Sequence, residues 1–409
     1  MTEQARLERD EITRLSYLML GLWGFLLYAL GPALPAIRRE LDVSRASVSL
    51  HTTIVALGAV AVGVVGDRIA ARLGRRKAFW AAGVGISAGA VALALGRSLA
   101  VTLPASAILG FAGALVVVLI QATLADRHGS LGTAALVEAN ALATALGAVA
   151  PLTVALAILA GSSWRAVFLV AGLLAVPALA VAYRCAVFPA APPLDDVEPS
   201  LPAVYWLYWF ALLTFVAVEF CIVFWATDYL ESERGLAPAA AAGLTSLFLV
   251  GMTIGRVVGG SFARRVHAAR MLRVALAVSA VGFLLFWAAG WTPAAVGGLG
   301  VTGLGVALLY PLTLSLALGA SGGRTDAASA RAAFASGGAI ALAPFALAAL
   351  ADAADLRTAY AIVPVLLVVG SLALVVARRS DALRQPVASR ASPGRAPAAG
   401  GPARRSGDA

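Results

Sequence analysis

Residues 63–77 read GVVGDRIAARLGRRK and separate two long apolar segments. The stretch combines glycines, one acid and a cluster of basic residues, as expected for a tight polar turn between two helices. Three of its positions recur about 188 residues later. The matched pairs are Gly63 and Gly251, Arg68 and Arg256, and Arg76 and Arg264. An internal repeat of this length predicts a chain built from two similar halves.

The composition places these halves in a membrane. Of the 409 residues, 61% are hydrophobic and only 13% are charged, against roughly 25% charged in an ordinary soluble domain. Twelve apolar runs approach or exceed the roughly 20 residues that cross a bilayer as a helix. We predict helices at residues 15–36, 46–66, 78–96, 99–125, 134–160, 164–184, 204–229, 239–260, 271–290, 293–319, 328–350 and 358–377.

The resulting fold class is an all-α integral membrane protein of twelve transmembrane helices in two pseudo-symmetric six-helix halves. Most of the 31 basic residues fall in loops on one side, which predicts a multi-pass protein of the plasma membrane with both termini cytoplasmic. Because these residues lie in loops between apolar runs, the net charge of +10 does not indicate nucleic-acid binding. The predicted segments are a cytoplasmic N-terminus at 1–14, helical halves at 15–184 and 204–378, a cytoplasmic linker at 185–203 and a disordered basic tail at 379–409.

Residues 63–77 resemble the signature between helices 2 and 3 of the major facilitator superfamily, in which a glycine and an acid precede a glycine and basic residues. The sequence Ser163-Trp-Arg-Ala-Val-Phe168 resembles a Trp-Arg-x-x-Phe motif at the start of helix 6 in the same family. This chain has about one extra helical turn between the two parts of the signature, so that Ala71 takes the acid's place when the basic end is aligned. The gate residues that the resemblance implies are Gly63, Asp67, Arg68, Arg72, Gly74, Arg76, Arg256 and Arg264.

Glu219 is the acid placed deepest in an apolar run, VAVEFCIVFWATDYL in helix 7. It lies roughly 20 Å from the start of that helix, and we expect no Arg or Lys at its depth. Polar groups are costly inside a bilayer, so each is a functional candidate. Glu219 could carry a proton or neutralise a cationic substrate; the alternative is a hydrogen-bonded structural role.

Other polar side chains could line a cavity between the halves. Tyr could donate a hydrogen bond to a substrate, and amide or carboxylate groups could contact one. For each residue the alternative is helix packing or a lock between helices. These candidates are Tyr28, Gln121, Glu138, Asn140 and Tyr310.

The resemblance implies a secondary transporter that moves a small solute by alternating access as a monomer, working as a symporter or antiporter, with protons as a candidate coupling ion. The direction of transport stays open. The alternative is a transporter-like membrane receptor or scaffold without turnover. We predict no enzyme, metal or cofactor, because the histidines and cysteines do not converge and no nucleotide-binding loop is present.

Overall fold

A computed structural model describes residues 7–185, 200–262 and 266–390. These residues form helices connected by short turns, and eleven of the helices are long and apolar enough to cross a membrane, with a shorter apolar helix at Trp164–Val176. The helices are α1 Glu11–Leu41, α2 Arg45–Leu73, α3 Arg75–Leu95, α4 Leu99–His128, α5 Gly132–Leu159, α6 Trp164–Cys185, α7 Ala203–Ser232, α8 Pro238–Phe262, α9 Ala268–Ala288, α10 Thr292–Gly319, α11 Thr325–Ala353, α12 Leu356–Ala359 and α13 Ile362–Arg390.

Each predicted helix is present, with α12 and α13 together forming the twelfth, but two predicted ends are wrong by more than five residues. α2 continues past residue 66 to Leu73, because residues 67–73 include no proline and no left-handed residue; Gly74 then turns the backbone at φ 75°. The last helix also continues past residue 378 to Arg390, within the tail that we expected to be disordered. Residues 391–409 and most of the linker lie outside the described residues.

The helix packing reveals the two halves. In the first half α1 packs on α5, and α4 packs on both α2 and α3; in the second half α7 packs on α11, and α10 packs on both α8 and α9. The halves meet chiefly where α2 runs along α11 and where α5 runs along α8. Each helix of one half corresponds to the helix six places later in the other half, when α12 and α13 are counted together as the twelfth. Under this correspondence α2 matches α8 and α5 matches α11, so the two contacts are equivalent. This is the pattern of a pseudo-two-fold axis.

Close glycine contacts fix the register of the repeat. On α2, Gly58 lies against the backbone of Phe111, and on α8, Gly251 lies against the backbone of Leu304. Gly251 follows Gly58 by 193 residues, and Leu304 follows Phe111 by the same number. The contacts of Gly89 with Leu109 and of Gly282 with Thr302 have the same separation. The predicted offset of 188 residues, which equated Gly63 with Gly251, is therefore wrong by more than one helical turn.

The outer surface of the bundle is apolar. Large side chains such as Leu159, Leu174 and Val257 are more than half exposed, which in water would leave an unusually large apolar surface. α7, in contrast, is buried along most of its length. The chain is therefore a multi-pass membrane protein, with α7 in its interior.

Candidate functional site

Charged side chains join the two halves at one end of the bundle. We call the end where α1 begins the terminal end, and the end where α1 finishes the opposite end. At the opposite end Asp228 of α7 is almost completely buried and accepts hydrogen bonds from two arginines of the first half. Its carboxylate lies 3.2 Å from Arg38 Nη2 and 2.7 Å from Arg45 Nε. These charge-assisted bonds neutralise a carboxylate that burial would otherwise destabilise.

Two further contacts belong to the same network. Asp352 of α11 accepts hydrogen bonds from the backbone N–H groups of Arg45 and Ala46, at 2.9 and 2.7 Å. These are the first residues of α2, so an acid of the second half caps the N-terminus of a helix of the first. Arg39 also pairs with Glu231. The members of this opposite-end network are Arg38, Arg39, Arg45, Asp228, Glu231 and Asp352.

At the terminal end the ion pairs that involve the start of α1 stay within the first half. Arg9 pairs with Glu138 at 2.8 Å, and Arg127 pairs with Asp10 at the same distance. Burial alone would raise the pKa of Asp10, but hydrogen bonds from Thr13 and the ion pair with Arg127 outweigh burial and lower it. Glu138, which we considered for the cavity, thus ties α5 to the N-terminal segment.

A buried ion pair lies at the candidate gate segment, and it is also internal to the first half. Arg75, at the start of α3, is buried and contacts Asp126 of α4 at 2.5 Å. Arg68, Arg72 and Arg76 are exposed. Gly63 faces Phe334 of α11 across the boundary between the halves, and Gly74 forms the turn. The side chain of Asp67, and Arg264, lie outside the described residues.

A second polar group lies deeper in the membrane-spanning part. Arg256 of α8 donates a hydrogen bond from Nη1 to Thr144 Oγ1 of α5, at 2.6 Å, and so connects the halves. Its guanidinium also lies within electrostatic range of Glu219 and Tyr28. Tyr310 of α10 lies within range of Glu219 as well. The expectation that no Arg or Lys lies at the depth of Glu219 stays a prediction, and the structure adds that the Arg256 guanidinium lies within electrostatic range of this carboxyl group.

The remaining cavity candidates are not part of this group. Asn140 is exposed and donates from Nδ2 to the carbonyl oxygen of Leu136 on its own helix, at 2.8 Å. Gln121, late in α4, is also exposed. Of the predicted cavity residues, Tyr28 and Tyr310 lie within electrostatic range of Glu219, the proton or substrate candidate, and the structure adds Arg256 and Thr144 to them. We call these five residues the interior polar group.

A sequence profile of the Major Facilitator Superfamily matches residues 17–245 and 207–406, which together span nearly the whole chain. The chain belongs to the major facilitator superfamily. No match was found among curated protein sequences.

Solved structures of similar fold are membrane transporters. A bacterial homologue of the human lysosomal transporter Spinster, in an inward-facing and occupied conformation, has a TM-score of 0.73 at 14% identity, covering 92% of this chain and 98% of that one. Its inward-facing and unoccupied conformation gives the same values. The nucleoside transporter NupG, as a point mutant, has a TM-score of 0.73 at 14% identity, covering 90% of this chain and 98% of that one. At this identity the likeness concerns the fold of the superfamily alone.

Sequence reasoning missed the opposite-end network. Asp228 stands in the same apolar run as Glu219, and Arg38, Arg39 and Arg45 cluster after α1. An acid near the end of one helix and arginines near the end of another could have predicted a salt bridge between these two helices. Their pairing depends on how the two halves of a superfamily member meet, and the order of residues along the chain does not contain that information.

Proposed function

We propose that this protein is a secondary transporter that moves a small solute across the plasma membrane by alternating access. The observation that carries this proposal is the position of the charged contacts between the halves. Asp228 and Asp352 of the second half bind α1 and α2 of the first at the opposite end. Ion pairs at the terminal end, such as Arg9–Glu138, join parts of one half. A bundle fastened at one end can rock open at the other.

The orientation of this arrangement follows from the basic loops. With both termini in the cytoplasm, as the charge distribution favours, the opposite-end network closes the extracellular side. The structure then represents a state that loads or releases solute at the cytoplasmic side. The Spinster homologue has been captured in inward-facing conformations, which supports the same assignment for a chain of the same fold.

The interior polar group is the proposed place of solute binding and coupling. Glu219 is 7% exposed and lies within electrostatic range of Tyr28 of the first half and Arg256 of the second. A carboxyl group there can exchange a proton when the bundle rocks, or can contact the solute directly. Proton-coupled symport and antiport are the two mechanisms that this position supports.

Reconstitution in liposomes tests the proposal. The purified protein is inserted into liposomes that contain a pH-sensitive dye, and candidate solutes are added with and without a pH gradient. We expect solute flux accompanied by proton movement, and we expect Glu219→Gln to abolish the proton movement. Glu40→Gln is the matched control, because Glu40 pairs with Arg165 within the first half at the opposite end.

Two other outcomes have different meanings. Solute flux without proton movement, unchanged in Glu219→Gln, would keep the transporter and remove proton coupling through Glu219. Binding of a solute without flux in any gradient would contradict transport and favour a receptor or scaffold. Solute uptake is followed in parallel with labelled solute, because the dye reports proton movement alone.

A further inference from the structure

A groove on the membrane-facing side of the first half is lined by apolar side chains. It lies between α1, α5 and α6 and has a volume of about 480 Å³. Leu18, Val170 and Leu174 on its walls are more than half exposed, so the groove opens to the medium around the bundle. Of the described side chains that line it, Thr153 alone is polar, and its hydroxyl donates to the carbonyl oxygen of Ala150 at 2.7 Å. The described side chains of the groove therefore have no free hydrogen-bond donor.

The equivalent position in the second half is closed by direct helix packing. In the repeat, α1 corresponds to α7, and α6 corresponds to the twelfth helix, of which α13 is the longer part. Gly370 of α13 lies against Thr214 and Phe215 of α7. The glycine of α6, Gly172, lies instead against Ser87 of α3. Because a glycine permits two helices to approach closely, α13 packs tightly on α7, whereas α6 leaves a groove beside α1.

Hydrocarbon is the medium that fits this groove. Apolar cavities exclude water, and at bilayer depth the bundle is surrounded by lipid acyl chains. The volume of the groove lies within the range of about 300–1,000 Å³ that is usual for ligand sites. Along α1 the groove extends over about 10 Å from Leu18 to Phe25, which suits an acyl chain that runs along the helix.

Two charged side chains continue the groove towards the terminal end. One face of α1 carries, at intervals of three or four residues, Glu11, Arg14, Leu18, Leu22 and Phe25. Arg14 lies about 6 Å beyond Leu18 along the helix axis, and Glu11 lies about 4–5 Å farther out. Both charged residues are exposed, and in the part of the chain that the structure describes neither side chain makes an ion pair. The order along this face is therefore anion, cation and apolar groove.

This order matches a phospholipid with an ethanolamine headgroup, in which the acyl chains are followed by a phosphate and then by an ammonium group nearer the water. Arginine is well suited to bind phosphate, and an ammonium group donates hydrogen bonds to a carboxylate. A choline headgroup has no N–H to donate, and a glycerol headgroup leaves Glu11 beside an uncompensated negative charge. The neighbouring basic residues at this end, Arg9 and Arg127, already pair with Glu138 and Asp10.

We propose that the groove between α1, α5 and α6 binds one phosphatidylethanolamine molecule, with an acyl chain against Leu18, Leu22 and Phe25, the phosphate on Arg14 and the ammonium group on Glu11. The lipid occupies the space that direct packing closes between α7 and α13 in the other half. The site belongs to the first half alone, so the bound lipid moves with that half. This inference goes beyond the proposed function and does not depend on transport.

Native mass spectrometry of the purified full chain tests the site. Phosphatidylethanolamine, phosphatidylcholine and phosphatidylglycerol with identical acyl chains are added together in equal amounts in detergent, and the mass of the complex with one lipid identifies the occupant. We expect the wild type to retain phosphatidylethanolamine over each of the other two by about fivefold. Glu11→Gln should abolish the preference over phosphatidylglycerol. Arg14→Gln should weaken the retention of all three lipids by about fivefold or more, because each of them carries the phosphate.

Two further variants separate this site from general attraction between lipids and the protein surface. Arg270→Gln is the matched control for Arg14→Gln, because Arg270 is exposed in the first turn of α9 at the terminal end of the second half. We expect Arg270→Gln to leave the retained lipids unchanged. Val170→Trp places a large side chain in the groove and should lower the retention of all three lipids by the same factor.

Four results would overturn the proposal. The phosphate contact falls if Arg14→Gln and Arg270→Gln have the same effect, and the ammonium contact falls if Glu11→Gln leaves the headgroup preference unchanged. A wild type that retains phosphatidylglycerol in preference to phosphatidylethanolamine contradicts the assigned headgroup. Retention at the wild-type level in Val170→Trp contradicts the position of the acyl chain.

Discussion

Asp352 caps a helix that belongs to the other half of the molecule: its Oδ1 atom accepts a hydrogen bond from the backbone N–H of Arg45 at 2.9 Å. Its second oxygen accepts from the N–H of Ala46 at 2.7 Å. The partially positive N-terminus of α2 and the carboxylate attract each other. Under the proposed alternating access this contact breaks when the opposite end opens, so we expect it to contribute to the equilibrium between conformations.

Removal of this cap should favour the opened opposite end. We expect Asp352→Ala to shift the equilibrium by about 1 kcal/mol, or roughly fivefold, which is the usual contribution of an N-cap side chain. Spin labels at Ser98 and Gly290, which are exposed at the opposite end of each half, report whether the halves separate. Double electron–electron resonance between these labels, in a Cys185→Ser background, measures the shift as a larger long-distance population. Asp355→Ala is the matched control, because Asp355 caps α12 within the second half through Thr358. An equal shift in both variants would contradict the prediction.

Neutralising Asp228 should have a larger effect than removing the cap. In Asp228→Asn two arginines, Arg38 and Arg45, lose a buried anionic partner. We expect the opened population to rise by at least about tenfold, or ~1.4 kcal/mol, in the same distance measurement. An unchanged distance distribution in a folded Asp228→Asn protein would show that this pair does not control the opposite end.

The pair between Arg39 and Glu231 permits a charge-exchange test. Either Arg39→Glu or Glu231→Arg places like charges together across the boundary and should open the opposite end, whereas the double exchange should restore the closed population. The coupling should be about 0.5–1 kcal/mol, because Arg39 is partly exposed and solvent screens its charge. The Arg97–Glu40 pair, at 3.7 Å within the first half, is the control; its exchange should leave the distance unchanged. Strict additivity of the two single changes would argue against the pairing.

The repeat register predicts which glycines cannot be enlarged. A Cβ at Gly58 or Gly251 would overlap the backbone of α4 or α10, respectively, so each Gly→Ala change should cost about 1–3 kcal/mol and lower the Tm in detergent. Gly260 has open space around its Cα, and Gly260→Ala should be neutral or slightly stabilising. If Gly58→Ala is tolerated while Gly251→Ala is not, the equivalence of the two positions is wrong.

Asp10 predicts a pH dependence of stability. Its pKa is lowered in the folded state by Thr13 and Arg127 despite partial burial, so the folded protein holds this carboxyl ionised more readily than the unfolded chain does. Its contribution, which solvent screening at the half-exposed Arg127 limits, is present above the ordinary Asp pKa and is lost as the pH falls through the folded value. The difference in Tm between wild type and Asp10→Asn should therefore shrink from about pH 7 to about pH 3. A constant difference would contradict this origin.

The sequence was sufficient for the fold because hydropathy alone determines where helices cross a bilayer. It predicted every helix, and it failed at helix ends such as Leu73 and Arg390, where polar residues continue a helix beyond the apolar run. The repeat was recognised with the wrong offset, since basic residues recur near helix ends for reasons of topology. Close glycine contacts such as Gly58–Phe111 are required by the packing of neighbouring helices, and they give the observed offset of 193 residues.

The candidate site was only partly accessible from the sequence. The position of Glu219 along its helix identified it as a candidate. Position along the helix does not take account of the length of an arginine side chain, so Arg256 was assigned to the gate. The interior polar group draws residues from α1, α5, α7, α8 and α10. Its assembly depends on the rotation of each helix about its own axis, which the apolar and nearly uniform helices of this chain do not encode clearly.

The cap that Asp352 provides has an asymmetric consequence for the genetics of this protein. Its donors are main-chain groups, so substitution of residue 46 leaves them in place unless the new residue is proline, which lacks the N–H. The acceptor is a single carboxylate that one nucleotide change can remove. A saturation library should therefore tolerate nearly every amino acid at position 46 while rejecting most at position 352, although the two positions share one contact.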